Sequence, residues 1–201
     1  MSLVQRIMAR WGSGAGEVDD VRIDASTNVL STIGYAHHEI HAGSSFHAEA
    51  KAAGGAGTKA TITFKTPAGT KWAHVFIHGT TNVAAQFSFG EGATVTAGSG
   101  TTLPAYNRNR NSGTATTMIS EGTTGADAAG ALTQGATVSN FGTALIDDRQ
   151  VGAGNKTGGE SREDSEWVLD ADTVYAIEME SQAATSEVSV RIDYYEHTDK
   201  H

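Results

Sequence analysis

Apolar and polar residues alternate along most of the chain in short runs, and turn-forming residues separate these runs. The clearest example is residues 61–65 (TITFK) followed by residues 71–78 (KWAHVFIH). Alternation of this kind predicts β-strands that are buried on one face only. Residues 67–70 (PAGT) between the two runs predict a hairpin turn. In the second run one face carries Trp72, His74, Phe76 and His78, and the other carries Ala73, Val75 and Ile77.

The C-terminal third of the chain has the same pattern and predicts three strands, at residues 166–169, 174–180 and 188–195. The inward positions of the last strand are Val188, Val190, Ile192 and Tyr194. Over the whole chain the pattern gives about ten short strands at the spacing of a sandwich, with no strand–helix alternation. The predicted fold is therefore all-β: a single antiparallel β-sandwich, jelly-roll-like, over residues 17–201.

A short helix is predicted at the N-terminus, ahead of the strands. Its apolar face consists of Leu3, Val4, Ile7, Met8 and Trp11. Glycines at positions 12, 14 and 16 end it, so residues 1–16 are interpreted as an N-terminal arm. A helix of about nine residues is marginal by itself in water, so the arm must dock on its own domain or on a partner subunit. Neither a secretory signal nor an apolar run long enough for a membrane span is recognised, so no membrane partner is predicted.

Residues 90–135 are rich in Gly, Thr, Ala, Asn and Ser, which predicts a long irregular segment. Such a segment in a compact domain is either a projecting functional loop or is packed by neighbouring chains. Arg108 and Arg110 lie within it, in the stretch YNRNRNS. Because the protein is acidic, we interpret these arginines as partner-binding residues that form salt bridges between subunits.

Residues 35–46 (YAHHEIHAGSSF) allow two hypotheses. In the first, His37, His38, Glu39 and His41 hold a metal ion, since imidazole and carboxylate groups are ligands for zinc, iron or copper. In the second, the segment is an outer strand and corner of the sandwich, and the four residues form a polar structural cluster. On a strand, His38 would lie on the face opposite the other three, so the second hypothesis is favoured and no metal or other cofactor is predicted.

Composition narrows the possible functions further. The formal net charge is −9 and the chain has no cysteine. The charge argues against a nucleic-acid-binding protein, and the missing thiols exclude disulfides and thiolate catalysis. No nucleophile elbow or phosphate loop is present. Glu178 and Glu180 share a strand face, which is typical of a solvated surface, so the protein is predicted not to be an enzyme.

Four motifs together resemble a family of small head proteins of tailed bacteriophages, the capsid decoration or cement proteins. The motifs are residues 35–46, Thr66-Pro67 with residues 71–74 (KWAH), residues 106–112, and residues 194–199 (YYEHTD). The resemblance covers residues 32–200 and leaves out the N-terminal arm.

The resemblance implies a structural virion protein without catalytic residues, bound to the outer surface of a capsid. Its partners would be the major capsid protein and further copies of itself, as a homotrimer, without direct contact to nucleic acid. The exposed strand edges and the N-terminal arm would be completed by neighbouring molecules. Two alternatives remain open: a glycan-binding module of a head fibre or tail, and a histidine-dependent metalloenzyme with a cupin-like barrel.

Overall fold

The computed structural model describes residues 8–9, 19–20, 35–152 and 166–198. The chain divides into two units, Met1–His38 and Glu39–His201. In the first unit, strand β1 (Met8–Ala9) pairs antiparallel with strand β2 (Asp19–Asp20). The predicted helix is therefore wrong at Met8, where a two-residue strand pair forms in place of a helix too short to be stable alone. The other arm residues, Leu3, Val4, Ile7 and Trp11, lie outside the described residues.

The rest of the described chain is one helix and fourteen strands. The helix is α1 (Tyr35–Ala42). The strands are β3 (Ser45–Gly54), β4 (Lys59–Lys65), β5 (Lys71–Thr81), β6 (Ala85–Glu91), β7 (Thr94–Val95), β8 (Thr101–Pro104), β9 (Tyr106–Asn107), β10 (Ile119–Ser120), β11 (Ala131–Gln134), β12 (Val138–Asn140), β13 (Thr143–Val151), β14 (Trp167–Leu169), β15 (Val174–Ser181) and β16 (Ser186–Thr198).

Two antiparallel sheets pack face to face, which confirms the predicted all-β sandwich. The seven-stranded sheet has the order β13-β6-β15-β4-β11-β8, with β10 also paired to β4. The five-stranded sheet has the order β14-β5-β16-β3-β9, and β7 pairs separately with β12. From β3 to β6 the chain enters the two sheets alternately. No helix among the described residues has the length and apolar character needed to cross a membrane.

The core lies between the two sheets and follows the predicted alternation. The inward positions of β16, from Val188 to Tyr194, are each at most 1% exposed. Across the core Phe89 packs edge-on against Trp167, with ring centroids 5.7 Å apart. Phe64 stacks on Tyr175 at 5.8 Å. Side chains at alternate positions of both sheets thus fill one common core.

The predicted hairpin at residues 67–70 is wrong, although both strands that flank it exist. β4 pairs with β10, β11 and β15, and β5 pairs with β14 and β16, so β4 and β5 are in different sheets. The turn therefore carries the chain across the core. Alternation of apolar residues predicts which face of a strand is buried, but it does not predict which other strand pairs with it.

The segment from 90 to 135 is not the long irregular stretch that was predicted, for which the alternatives were a projecting functional loop and packing by neighbouring chains. Five short strands, β7 to β11, lie within it, and three of them join the seven-stranded sheet. Leu103, Met118 and Leu132 are at most 6% exposed and belong to the core. The side chains of these few apolar residues are buried in the core. They therefore pack the segment against its own domain.

The outer edges of the two sheets are short or irregular. β8, β9 and β14 have four residues or fewer. β13 has nine residues, but its register with β6 shifts twice, between Ala144 and Ile146 and again between Ile146 and Arg149. Short and bulged edges disfavour the addition of a further strand. This geometry favours association through faces and side chains over completion of a sheet edge.

Candidate docking surface

The histidine segment is a helix, so its interpretation as an outer strand is wrong. α1 ends in a Schellman motif at Gly43, which has a φ of 76°. The Gly43 N–H donates to the carbonyl of Ile40 (3.1 Å), and the Ser44 N–H donates to the carbonyl of Glu39 (3.0 Å). The strand alternation used to separate His38 from its neighbours does not apply to a helix.

The side chains of this helix have two different environments. His37, His38 and His41 are exposed, whereas Glu39 is 6% exposed and its carboxylate accepts a hydrogen bond of 2.5 Å from Ser44 Oγ. Burial therefore separates Glu39 from the three exposed histidines. Among the residues that the structure describes, no group of three or more His, Asp or Glu side chains is placed to hold a metal ion.

Residues 106–112 clamp the C-terminal end of α1, which brings together two motifs that are far apart in the sequence. Asn107 is 8% exposed, and its Nδ2 donates to the carbonyls of Gly43 (2.7 Å) and Thr114 (3.0 Å). Asn109 Nδ2 donates to the carbonyl of His41 (3.1 Å). A Cβ added at Gly43 would lie 2.5 Å from Ser112 Oγ. The asparagines of this stretch are structural because they satisfy backbone groups at the helix end.

The third motif, at the end of β16, joins the same region through the buried carboxylate of Glu196. This side chain is 3% exposed and accepts hydrogen bonds from the Thr117 N–H (2.9 and 3.0 Å), from Thr117 Oγ1 (2.8 Å) and from Thr116 Oγ1. Tyr194 donates its hydroxyl hydrogen to Thr116 Oγ1 (2.9 Å). This role of Glu196 was not predicted from the sequence. The only signal was the strand alternation, which places Glu196 on the inward face between the outward-facing Tyr195 and His197.

The outward surface of the five-stranded sheet, which we call the outer face, carries the aromatic and histidine side chains of β5 and β16. Directly opposed residues of an antiparallel ladder lie on the same face. His74 opposes Val168 on one side and Tyr195 on the other, and Trp72 opposes His197. Its members on the five strands are Trp72, His74, Phe76, His78, Val168, Arg191, Asp193, Tyr195, His197, His47, Glu49, Lys51 and Tyr106.

Exposed apolar side chains are concentrated on this outer face. Three large hydrophobic residues are exposed among the described residues: Trp72 at 40%, Val168 at 51% and Tyr106 at 55%. All three belong to the outer face. With strands about 4.8 Å apart, they are distributed over a width of about 19 Å. Exposed apolar groups with a polar surround are typical of a protein-binding surface.

A stack of rings beside Trp72 fixes part of the outer face. The rings of His74 and Tyr195 are nearly parallel, with centroids 4.7 Å apart. His74 Nδ1 is 2.5 Å from Glu166 Oε1, which also accepts from the Tyr195 hydroxyl. His197 Nε2 is 2.7 Å from His74 Nε2. If the Glu166 carboxylate accepts from His74 Nδ1, His74 Nε2 is left to accept from His197 Nε2.

The formal charges at the centre of the outer face are compensated within it. Asp193 Oδ1 is 2.8 Å from His47 Nδ1, and Asp193 Oδ2 is 3.1 Å from Arg191 Nε. Lys51 and Glu49 are 3.4 Å apart. Because these charges already have partners, the exposed apolar side chains toward the edges of the face, Trp72, Val168 and Tyr106, are left to bind a partner.

Glu178 is not on a solvated surface, contrary to the prediction. It is 6% exposed, and its carboxylate accepts from Lys59 Nζ (2.7 Å) and Thr61 Oγ1 (3.0 Å). Lys59 also lies 3.1 Å from Glu180. Burial lowers the pKa of Lys59, but the hydrogen bonds and charges of both glutamates outweigh it and raise the pKa. Lys59 thus forms ion pairs with both carboxylates, and these contacts are structural.

Two buried tyrosines have pKa values above the ordinary value and therefore make the stability depend on pH in alkali. Burial raises the pKa of Tyr194 far above its ordinary value, although the hydrogen bond with Thr116 lowers it. Burial, and next the hydrogen bond to Glu91, raise the pKa of Tyr175 as well. In the unfolded chain both phenols ionise near the ordinary value of 10.0. Their contribution to stability is therefore complete below that pH and is lost as the pH rises through the folded-state values.

We expect the two rings to ionise only as the protein unfolds in alkali. The measurement is a spectrophotometric titration of tyrosinate absorbance, with circular dichroism followed in parallel. Tyr175→Phe and Tyr194→Phe should each remove one ring's share of the late absorbance step. Ionisation of both rings near their ordinary pKa in a protein that stays folded would contradict the prediction.

The chain matches no protein-family model, no curated protein and no solved structure. Arg108 and Arg110, the two predicted partner-binding residues outside the N-terminal arm, are both exposed beside the outer face.

Proposed function

We propose that this chain is a structural virion protein of a tailed bacteriophage, a decoration or cement protein that binds the outside of the capsid and catalyses no reaction. The observation that carries the proposal is the concentration of exposed Trp72, Val168 and Tyr106 on one compensated sheet face. The resemblance of the four motifs supplies the partner, the major capsid protein. The expected trimer and the anchoring role of the N-terminal arm remain part of the same proposal.

The contacts that join three of the motifs also support the proposal. The end of α1, residues 106–117 and the end of β16 are joined by buried Asn107 and Glu196. Tyr106 itself lies on β9, opposite His47 of the outer face. A rigid surface loses little conformational freedom on binding, which is the property that a cement protein needs on a repetitive shell.

An acidic protein is also suited to the outside of a shell filled with nucleic acid. The net charge of −9 gives no attraction to DNA. Binding at the capsid surface would bury Trp72 and Val168 between subunits and contribute through apolar contact. In this proposal the outer face is the capsid-binding side of the sandwich.

The test is the occupancy of capsids by the protein and two outer-face variants. Trp72→Ala and Val168→Asp should each lower the occupancy, measured by co-sedimentation with particles that lack the protein, by roughly tenfold or more. Thr101→Asp is the matched control because Thr101 is an exposed strand residue on the edge of the other sheet. Equal capsid occupancy for Val168→Asp and Thr101→Asp would show that the outer face is not the capsid-binding surface. Absence of the protein from the head in images of intact particles would overturn the decoration role itself.

Glycan binding is the second candidate, because an open cleft of about 370 Å³ lies on the same face. Its polar lining includes Lys51, Thr80, Asn82 and Ser189. Sugar sites commonly pair such groups with an aromatic ring, and no aromatic residue lines this cleft. Inhibition of capsid occupancy by soluble saccharides would favour the glycan-binding function over the decoration role.

A further inference from the structure

Residues 106–112, which we call the arginine loop, carry two cations on a rigid support. The Asn109 N–H donates to Asn107 Oδ1 (2.9 Å), and the Asn111 N–H donates to Asn109 Oδ1 (3.1 Å). The Arg108 N–H donates to the carbonyl of Ser45 (2.8 Å), which ties the loop to β3. The loop is therefore fixed by its own asparagines and by the sheet.

The two guanidinium groups of the arginine loop have no anionic partner in the described part of the chain. Arg108 and Arg110 are exposed, and neither forms an ion pair with a described residue. The Arg110 guanidinium is 5.8 Å from the ring centroid of Tyr106, and it donates to the carbonyl of Asn107 (3.4 Å). Guanidinium groups held in this way are prepared for carboxylates, which they bind with two parallel hydrogen bonds.

A complementary feature lies on β13, where Asp147 and Asp148 occupy a bulge that we call the aspartate bulge. The register jumps there, so that Ile146 opposes Phe89 and Arg149 opposes Phe87. Both aspartates are exposed and neither forms an ion pair with a described residue. Asp148 has a φ of 41°, and its Oδ1 accepts from Ser88 Oγ (3.0 Å). A non-glycine residue held at positive φ at a bulge is a feature found at functional surfaces.

The arginine loop and the aspartate bulge lie on opposite sides of the sandwich. β9, which begins the arginine loop, is one edge of the five-stranded sheet, and β14 is the other edge. β13 is the edge of the seven-stranded sheet on the β14 side, because its neighbour β6 packs on β14 through Phe89 and Trp167. Two complementary features on opposite sides of one molecule cannot meet within that molecule.

We propose that copies of this chain associate head to tail, with Arg108 and Arg110 of one copy bound to Asp147 and Asp148 of the next. A heterologous contact of this kind closes into a ring when the rotation between copies permits it. The partner is a second copy because the chain itself supplies adjacent, exposed carboxylates that form no ion pair with any described residue, on the side opposite the two cations. The proposal rests on these edges and not on the decoration role.

Charge variants of the full chain test this association by sedimentation velocity. Each copy has a mass of 20.9 kDa, so the wild-type chain should sediment as a multiple of that mass and dissociate at high salt. Arg108→Glu with Arg110→Glu should raise the dissociation constant by at least about tenfold, because like charges then face each other. Asp147→Lys with Asp148→Asn should do the same, and asparagine is used at 148 because it tolerates positive φ.

The variant with all four substitutions provides the decisive comparison. Its loop is acidic and its bulge is basic, so we expect the wild-type mass to return. Circular dichroism and thermal unfolding of each variant verify that the sandwich is intact. A monomeric wild-type chain, single-edge variants that keep the wild-type mass, or a fourfold variant that stays monomeric would each overturn the proposal. Capsid occupancy is measured separately through Trp72 and Val168, so failure of the decoration role leaves this test valid.

Discussion

Glu196→Ala should lower the free energy of unfolding by roughly 3 kcal/mol or more, because it leaves several buried donors without an acceptor. The lost acceptor serves the Thr117 N–H, Thr117 Oγ1 and Thr116 Oγ1. Thr116 is itself 4% exposed and accepts from the Tyr194 hydroxyl, so the change extends to a core ring. Urea denaturation followed by circular dichroism measures the effect.

Two further variants isolate the cause of that loss. Glu187→Ala removes an exposed glutamate from the same strand and should change the free energy of unfolding by less than about 0.5 kcal/mol. Glu196→Gln keeps one acceptor oxygen but turns an amide donor toward the threonines, so its loss should be intermediate. If Glu196→Ala and Glu187→Ala had equal free energies of unfolding, the Glu196 carboxylate would not be the group that holds residues 116–117 to β16.

The sandwich was predictable because strands such as β3, β5 and β6 alternate between buried and more exposed positions. The prediction of one buried face is wrong for β4, which is buried on both faces. Val75, Phe87 and Ile192 lie where their alternation places them. The hairpin between β4 and β5 was not predictable, since the turn residues fit a chain that crosses the core as well as one that reverses within a sheet. Pairing is decided by contacts distant in sequence, such as Lys65 with Val174.

The candidate sites were less predictable than the fold, for a physical reason that Glu39 and Glu196 illustrate. Both are glutamates in polar stretches, and polar stretches are ordinarily solvated. Each is buried because its carboxylate binds hydroxyl or backbone donors: Ser44 for Glu39, and Thr116 and Thr117 for Glu196. The resemblance identified these stretches as important, but only the structure places the end of α1 against residues 107–114.

The wrong strand at residues 35–42 has a related cause. The segment lacks a strong apolar period, so neither a helical nor a strand face dominates its pattern. The decisive residue is Gly43, whose positive φ permits the two hydrogen bonds that end the helix. A glycine followed by serines was interpreted as a corner between strands, and the same residues serve as a helix end.

Gly90→Ala should lower the free energy of unfolding by roughly 3 kcal/mol, because β6 and the turn before β13 approach too closely for a side chain. A Cβ at this position would lie 2.1 Å from the carbonyl oxygen of Phe141, a backbone atom that cannot move aside as a side chain can. The adjacent Gly142 N–H donates to Asn140 Oδ1 (2.8 Å), which holds the turn in place. Hydrogen exchange should consequently accelerate along β13, the strand that carries Asp147 and Asp148.

The matched control for this variant is Gly113→Ala. A Cβ at Gly113 meets no atom of the described residues within 4 Å, so the same substitution should change the free energy of unfolding by less than about 0.5 kcal/mol. If hydrogen exchange in β13 is faster and self-association is weaker in Gly90→Ala than in Gly113→Ala, the aspartate bulge must be held in position to contact the arginine loop of another copy. Equal stability of the two alanine variants would instead mean that the β12–β13 turn moves without cost, and that the close approach at Gly90 does not hold the edge of the sheet.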